Sequence, residues 1–153
     1  MLETDLGFDA TINHKTDDID QAFDRLCPDG INIYFDNVGG TILDACLDRL
    51  ALHARIVLCG GISHYNLGTK PFGPSHLFDL VFRRSKMHGF LLSDYAGLFD
   101  EARDQLRSWH DSGKLIQKST VIDGFTSLPD ALAKLFDGYN FGKMMVRNDR
   151  FKE

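Results

Sequence analysis

The feature that most constrains the fold is a pair of apolar strand patterns that end in the same way. The first is INIYFDNVGG, and the second, ARIVLCGGIS, places its Gly-Gly pair 21 residues further along the chain. Helix-like apolar periodicity precedes the first strand and separates the two. Alternating strands and helices are typical of an α/β fold with right-handed crossovers. The sequence therefore predicts a parallel sheet with helices on both faces.

The remaining patterns continue this alternation. We expect a short strand in ATINHK, a helix in IDQAFDRL and, after a long loop from Ser63 to about Ser75 that contains Gly and Pro, a helix in LFDLVFRR. Further along, the sequence predicts a strand in MHGFLL, a helix ending near Gly113, a strand in KSTVIDGF, a helix capped by Ser127 and a last strand in GKMMVR.

Composition and charge narrow the functional classes. The chain has 153 residues, 43% of them hydrophobic and 25% charged, which suits a single soluble domain. A net charge of −5 with scattered basic residues argues against nucleic acid as a partner. We expect no membrane span, because apolar runs stay below roughly 18 residues. The early acidic residues do not fit a signal peptide.

The cysteines and histidines form no recognisable framework. Three cysteines lie far apart without a CxxC pair, and six histidines are isolated. Neither a disulfide scaffold nor a metal site is therefore expected. A reducing, cytoplasmic setting is the default for such a chain.

The two Gly-Gly pairs are the main candidates for a ligand-binding site. Ligands of parallel α/β sheets bind at the carboxyl ends of strands, where glycine lets the backbone approach a ligand closely. DNVGG and CGGIS would both lie at that edge. The alternative is that Gly39, Gly40, Gly60 and Gly61 only make tight exits from the strands, and the pattern alone leaves both interpretations open.

A longer stretch resembles a known family. GINIYFDNVGGTILDACLDRLALHARIVLCGGISHYN, with LGFDATINHKT before it and GYNFGKMMV after it, resembles the zinc-free medium-chain dehydrogenase/reductases. Within them it is similar to the branch of prostaglandin reductase, or leukotriene B4 12-hydroxydehydrogenase, and the NADP-dependent 2-alkenal reductases. The resemblance implies a Rossmann-type domain that binds NADPH, coupled to a catalytic domain that is mostly N-terminal. It also implies reduction of the carbon–carbon double bond of enals and enones.

The same resemblance assigns cofactor contacts by position. His14 would stand beside the adenosine 2′-phosphate, where the family often has Tyr, and Asn37 would face the cofactor at its strand end. Phe82 stands where some members have Tyr, and its missing hydroxyl leaves it without a catalytic role. The other implied contacts are the nicotinamide-side residues Cys59, Gly60, Gly61, Ile62, Ser63 and Tyr65, the carboxamide-side residues Phe90, Leu91 and Leu92, and Asn140, which would close over the cofactor.

The chain also departs from the family pattern. It contains no strand–GxGxxG–helix motif, no counterpart of the Lys that usually meets the 2′-phosphate and no N-terminal catalytic domain. We therefore expect a partial nucleotide-binding domain over residues 1–115 and a C-terminal segment, 116–153, like the part that packs on the catalytic domain.

Two functional hypotheses follow. The first is the C-terminal, cofactor-binding portion of an NADP-dependent enal or enone reductase, inactive as an isolated chain. The alternative is a non-catalytic nucleotide-binding or dimerising module. In either case, the apolar strand near Phe90 is a candidate edge for pairing two copies into a homodimer.

Overall fold

A computed structural model describes residues 2–65 and 73–148. The chain forms two compact units, Met1–Phe99 and Asp100–Glu153. The sequence suggests a different boundary, near residue 115, from the resemblance to the family, and that boundary stays a prediction. Most of the loop predicted after Ser63 lies outside the described residues.

The first unit contains a parallel three-stranded sheet in the order β1-β2-β3. In chain order its elements are α1 (Leu2–Leu6), α2 (Ile19–Leu26), β1 (Ile31–Asp36), α3 (Gly40–Asp48), β2 (Leu50–Leu58), a 3₁₀ turn (Ile62–His64), α4 (Asp79–Phe82), β3 (Lys86–Gly89) and a 3₁₀ segment (Leu92–Leu98).

The second unit pairs two further parallel strands. It contains most of α5 (Phe99–Asp111), then β4 (Ser119–Asp123), a 3₁₀ turn (Phe125–Ser127), α6 (Leu128–Phe136) and β5 (Lys143–Arg147). Both units therefore confirm the predicted α/β class with parallel sheets. None of the described helices is both long and apolar enough to cross a membrane.

The core of the first unit lies between α3 and the sheet. Leu47, Leu50, Ala54 and Ile56 are buried together, and partly buried apolar side chains surround them. The other side of β1 is open among the described residues, because its Ile33 and Phe35 are 62% and 55% exposed. Towards its end, the strand therefore places Tyr34 and Asp36 on the packed side and Ile33 and Phe35 on the open side.

The first stability prediction concerns this core. Ile56→Val should lower the free energy of unfolding by about 1 kcal/mol, because a buried methylene is lost from a side chain that is 1% exposed. The matched control is Ile33→Val on the exposed side of β1, which should change it by less than about 0.5 kcal/mol. Urea denaturation measures both variants, and equal effects would contradict this description of the core.

Some sequence predictions were wrong in detail. ATINHK forms no strand, since Asn13 instead closes a local turn: its carbonyl accepts from the Thr16 and Asp17 amides, and its amide donates to the Asp17 carboxylate. The helix in LFDLVFRR is a single turn, and the strand in MHGFLL ends at Gly89. Ser127 precedes α6 as predicted, but its hydroxyl donates to the Gly124 carbonyl rather than capping the helix.

Candidate functional site

The three strands of the first unit end side by side. Asp36, the last residue of β1, is paired with Leu58, and Leu58 is paired with Gly89 at the end of β3. Because the strands are parallel, the segments that follow them start at one edge of the sheet. The two Gly-Gly turns are therefore neighbours.

Hydrogen bonds join the two turns directly. The amide of Ile62 donates to the Asn37 carbonyl over 3.2 Å, and the amide of Ser63 donates to the Val38 carbonyl over 3.1 Å. The Ser63 hydroxyl also donates to the Val38 carbonyl, at 2.6 Å. Earlier in the second turn, the amides of Cys59 and Gly60 donate to the Asp36 carbonyl. The segment from Cys59 to Ser63 is thus held against the turn after β1.

This close approach explains part of the glycine pattern. A Cβ on Gly60 would stand 3.4 Å from the Asn37 carbonyl oxygen, and one on Gly40 would stand 3.0 Å from the Ser63 hydroxyl oxygen. Gly39 and Gly40 also have φ values of 71° and 62°, which disfavour other residues. The backbone conformation therefore accounts for Gly39 and Gly40 without a ligand, which supports the interpretation as tight strand exits, whereas the distance at Gly60 is an ordinary contact that does not require glycine. What remains for a ligand is the exposed rim of the turns.

A buried acid that the sequence pattern did not indicate lies at this edge. Asp36 is 1% exposed. Its Oδ1 accepts from the Tyr34 hydroxyl at 2.9 Å and from the Val38 amide at 2.8 Å, and the Gly39 amide lies 3.0 Å from Oδ1 and 3.1 Å from Oδ2. Asp36 therefore organises the turn that carries Asn37. The available signal was an acidic residue at the end of an apolar strand, directly before a glycine-containing turn.

Behind this turn, two polar groups remain neutral. Burial raises the pKa of the Tyr34 hydroxyl far above its usual range, and the neighbouring Cys46 and the hydrogen bond to Asp36 act in the same direction. Tyr34 therefore stays a hydrogen-bond donor to the carboxylate. Burial also raises the pKa of the Cys46 thiol to about 12.

The second prediction is that Cys46 resists alkylation. At pH 8 only about one thiol in ten thousand would be ionised, and the thiolate is the reactive form. In the folded protein, iodoacetamide should label the half-buried Cys27 and Cys59 while Cys46 stays unmodified until urea unfolds the chain. Peptide mapping by mass spectrometry gives the order of labelling, and labelling of Cys46 as fast as Cys59 would contradict the prediction.

An aromatic group continues the edge beyond β3. The amide of Phe90 donates to the Leu58 carbonyl over 3.2 Å, which keeps the chain beside the end of β2. The Phe90 ring meets Phe35 edge-on with centroids 6.2 Å apart, and it meets Tyr95 at 5.7 Å. Leu91 and Leu92 follow as exposed residues. The edge therefore combines a polar turn region with an apolar, aromatic side.

The structure brings together some of the predicted contacts. Asn37, the run from Cys59 to Ser63, and Phe90 lie at the same edge of the first sheet, with Tyr65, exposed, directly after the 3₁₀ turn. His14 is exposed in the turn before α2. Asn140 belongs to the second unit, where its side chain donates to the Gly142 carbonyl over 2.7 Å. That these residues contact a cofactor stays a prediction.

The amino ends of β1 and β2 hold a cavity of about 400 Å³, at the opposite end of these strands from the candidate edge. Gly30 and Leu50 line it together with Arg49. Arg49 there contacts Asp20 and Asp24 at 3.3 and 3.1 Å. These acidic side chains thus pair with the Arg49 cation. The cavity also lies at the end of the sheet where parallel α/β proteins do not usually bind ligands.

These features define an α/β protein with parallel strands and two apposed glycine turns at the carboxyl edge of its sheet. Residues 1–108 match the family model described as zinc-binding dehydrogenase. The chain belongs to this family, as part of its zinc-free medium-chain dehydrogenase/reductase group. Among the residues described, one group has metal-ligating atoms within 4.8 Å of one another, namely Asp48, His76 and Asp79, and His76 Nδ1 there contacts both carboxylates.

Named relatives agree with this placement. The chain is 41% identical over 151 residues to the NADP(+)-dependent 2-alkenal reductase of Nicotiana tabacum, covering 98% of this chain and 44% of the relative. It is 35% identical over 147 residues to the NADPH-dependent curcumin reductase of Escherichia coli, covering 93% of this chain and 43% of the relative. The chain thus spans less than half the length of these relatives.

A solved structure shows the same fold. CurA from Vibrio vulnificus, in complex with NADPH, superposes with a TM-score of 0.87 at 38% identity. The alignment covers 97% of this chain and 45% of that one. The described residues therefore follow a known family fold over nearly the whole chain.

Proposed function

We propose that this chain is the C-terminal, cofactor-binding portion of an NADP-dependent oxidoreductase that reduces the carbon–carbon double bond of enals and enones. The observation that carries the proposal is the pair of hydrogen-bonded glycine turns at the carboxyl edge of the sheet, in a chain whose relatives are named as NADP-dependent reductases. A prostaglandin-reductase-like specificity is part of the same proposal.

The rim of the turns suits the nicotinamide half of NADPH. Asn37 offers an exposed amide that can both donate and accept hydrogen bonds, and the backbone of Gly60 and Gly61 has no side chain to block a ring. Phe90, Leu91 and Leu92 follow β3 at the same edge and would present their backbone to the carboxamide. His14 would meet the 2′-phosphate, and Asn140 would close over the cofactor.

The bound cofactor would supply a hydride to the carbon β to the carbonyl. The role of this chain is to bind and orient that cofactor, and none of its described residues is assigned as the proton donor. The second candidate function is a non-catalytic nucleotide-binding or dimerising module. It is favoured by the outer edge of β3, which pairs with no further strand in the described part of the sheet and could pair with a second copy.

Two measurements separate these functions. In a titration followed by residue-resolved NMR, NADPH should shift the amide signals of Asn37, Gly60 and Ser63, and NADH, without the 2′-phosphate, should act more weakly. The second measurement uses the tobacco 2-alkenal reductase with its matching segment replaced by this chain. Turnover of a small enone by the folded chimera supports a reductase portion. A folded chimera that binds NADPH without turnover favours the non-catalytic module.

The third prediction is a homodimer through β3. This strand pairs with β2 on one side only within the described part of the sheet, so its outer edge offers free backbone groups. Two copies pairing there would extend the sheet across both chains. Light scattering at high protein concentration should give twice the chain mass. The matched variant is Met87→Pro, which removes a backbone hydrogen-bond donor from that edge strand. A monomeric mass for the unmodified chain would contradict the prediction.

A further inference from the structure

The turn after β1 uses its own backbone donors internally. A helix N-terminus is normally a good site for phosphate, because free amides and the helix dipole both favour an anion. Here the amides of Val38 and Gly39, directly before α3, already donate to the buried carboxylate of Asp36. These two amides are therefore used in hydrogen bonds within the turn.

The hydrogen-bond pattern indicates an ionised Asp36. A hydroxyl and two amides donate to this one group, and a carboxylate, which only accepts, matches three donors. Its negative charge lies at the positive end of α3 and compensates it. A second anion at the same place would be repelled, since two like charges at short distance in a buried setting interact strongly.

We propose that Asp36 is a positioning residue of the cofactor site and that it excludes phosphate from the start of α3. The inference rests on the proposed function and goes beyond it. Asp36 holds the backbone of Asn37 and Val38 in the position where the second turn can pack on them. The turn then contacts an uncharged part of the cofactor, through Asn37.

The test compares ligands as well as variants. Asp36→Ala should weaken NADPH binding roughly tenfold or more, because Asn37 loses its fixed position. Binding of 2′,5′-ADP, which lacks the nicotinamide half, should stay within about twofold of the unmodified chain. Asp36→Asn should restore part of the NADPH affinity, since its amide oxygen can still accept from the Tyr34 hydroxyl and the Val38 amide, while its NH2 group would face the Gly39 amide. Tyr34→Phe removes one donor and should have a smaller effect than Asp36→Ala.

A matched charge control and an anion probe complete the design. Asp100→Asn makes the same charge change on an exposed helix position and should leave both affinities unchanged. Inorganic pyrophosphate should leave the Val38 and Gly39 amide signals of the unmodified chain in place. In Asp36→Asn, which keeps the acceptor but removes the charge, these signals should begin to respond. Circular dichroism melting identifies any variant that fails to fold.

The outcomes are distinct. If the folded chimera that carries the unmodified chain does not bind NADPH, the proposed function is wrong, while the pyrophosphate experiment still decides whether the turn excludes anions. If the unmodified chain binds NADPH and the Asp36 variants change neither ligand, or weaken NADPH and 2′,5′-ADP equally, Asp36 has only a structural role and the inference is overturned. Pyrophosphate-induced shifts of Val38 and Gly39 in the unmodified chain would also overturn it.

Discussion

The purified 153-residue chain should bind NADPH only weakly, with a dissociation constant that is roughly millimolar, and should not reduce a simple enone. The sequence has no GxGxxG turn to hold the pyrophosphate. Hydrogen bonds to charged groups contribute about 1.5–3 kcal/mol each. Losing two removes roughly 3–6 kcal/mol, or about a hundredfold to ten-thousandfold in affinity.

The start of α3 is poorly suited to this task, because the Asp36 carboxylate lies there and accepts hydrogen bonds from the Val38 and Gly39 amides directly before the helix. Turnover should fail as well, since little in this chain would hold a substrate over the nicotinamide. Nicotinamide fluorescence measures binding, and NADPH consumption with a small enone measures turnover. Micromolar binding or clear turnover would show that the described residues contain a more complete site than the one proposed.

The Gly142→Ala variant should lose the pairing between β4 and β5. Gly142 has a φ of 69°, and a Cβ there would clash with the backbone carbonyl of Lys118. That carbonyl accepts a hydrogen bond from the Lys143 amide at 2.9 Å, at the entry to β5. The positive φ alone costs about 1–2 kcal/mol, and the clash should bring the total to about 3 kcal/mol or more.

The matched control for this variant is Gly113→Ala. Gly113 has nearly the same φ, 73°, but a Cβ there would meet nothing within 4 Å. It should therefore cost only the conformational part, about 1 kcal/mol. Urea denaturation gives the free energies, and amide hydrogen exchange in β4 and β5 localises the loss. Equal costs for the two variants would mean that the backbone at Lys118 moves away without penalty.

The strands and helices of the sheet were predictable because their signals are local. INIYFD and ARIVL are short runs dominated by β-branched and other apolar residues, and the helix in IDQAFDRL has both an apolar stripe and Asp18 as its N-cap. Parallel strand order also followed from the alternation of elements. ATINHK has an equally strand-like composition, but a strand needs a hydrogen-bonded neighbour, and none of the described residues pairs with it.

The features of the candidate site likewise fall into those that the sequence predicts and those that the tertiary structure decides. The sequence by itself determined that two strands end in Gly-Gly turns at one edge, because strand direction and turn chemistry are properties of short segments. Only the tertiary structure decided that Asp36 is buried beneath the first turn and that Ser63 reaches the Val38 carbonyl. The Ser63 contact joins two turns that lie 25 residues apart in the sequence, and the burial of Asp36 depends on which side chains the packed core covers. The charge at the start of α3, and with it the kind of ligand the turn can accept, therefore follows from packing rather than from the local pattern.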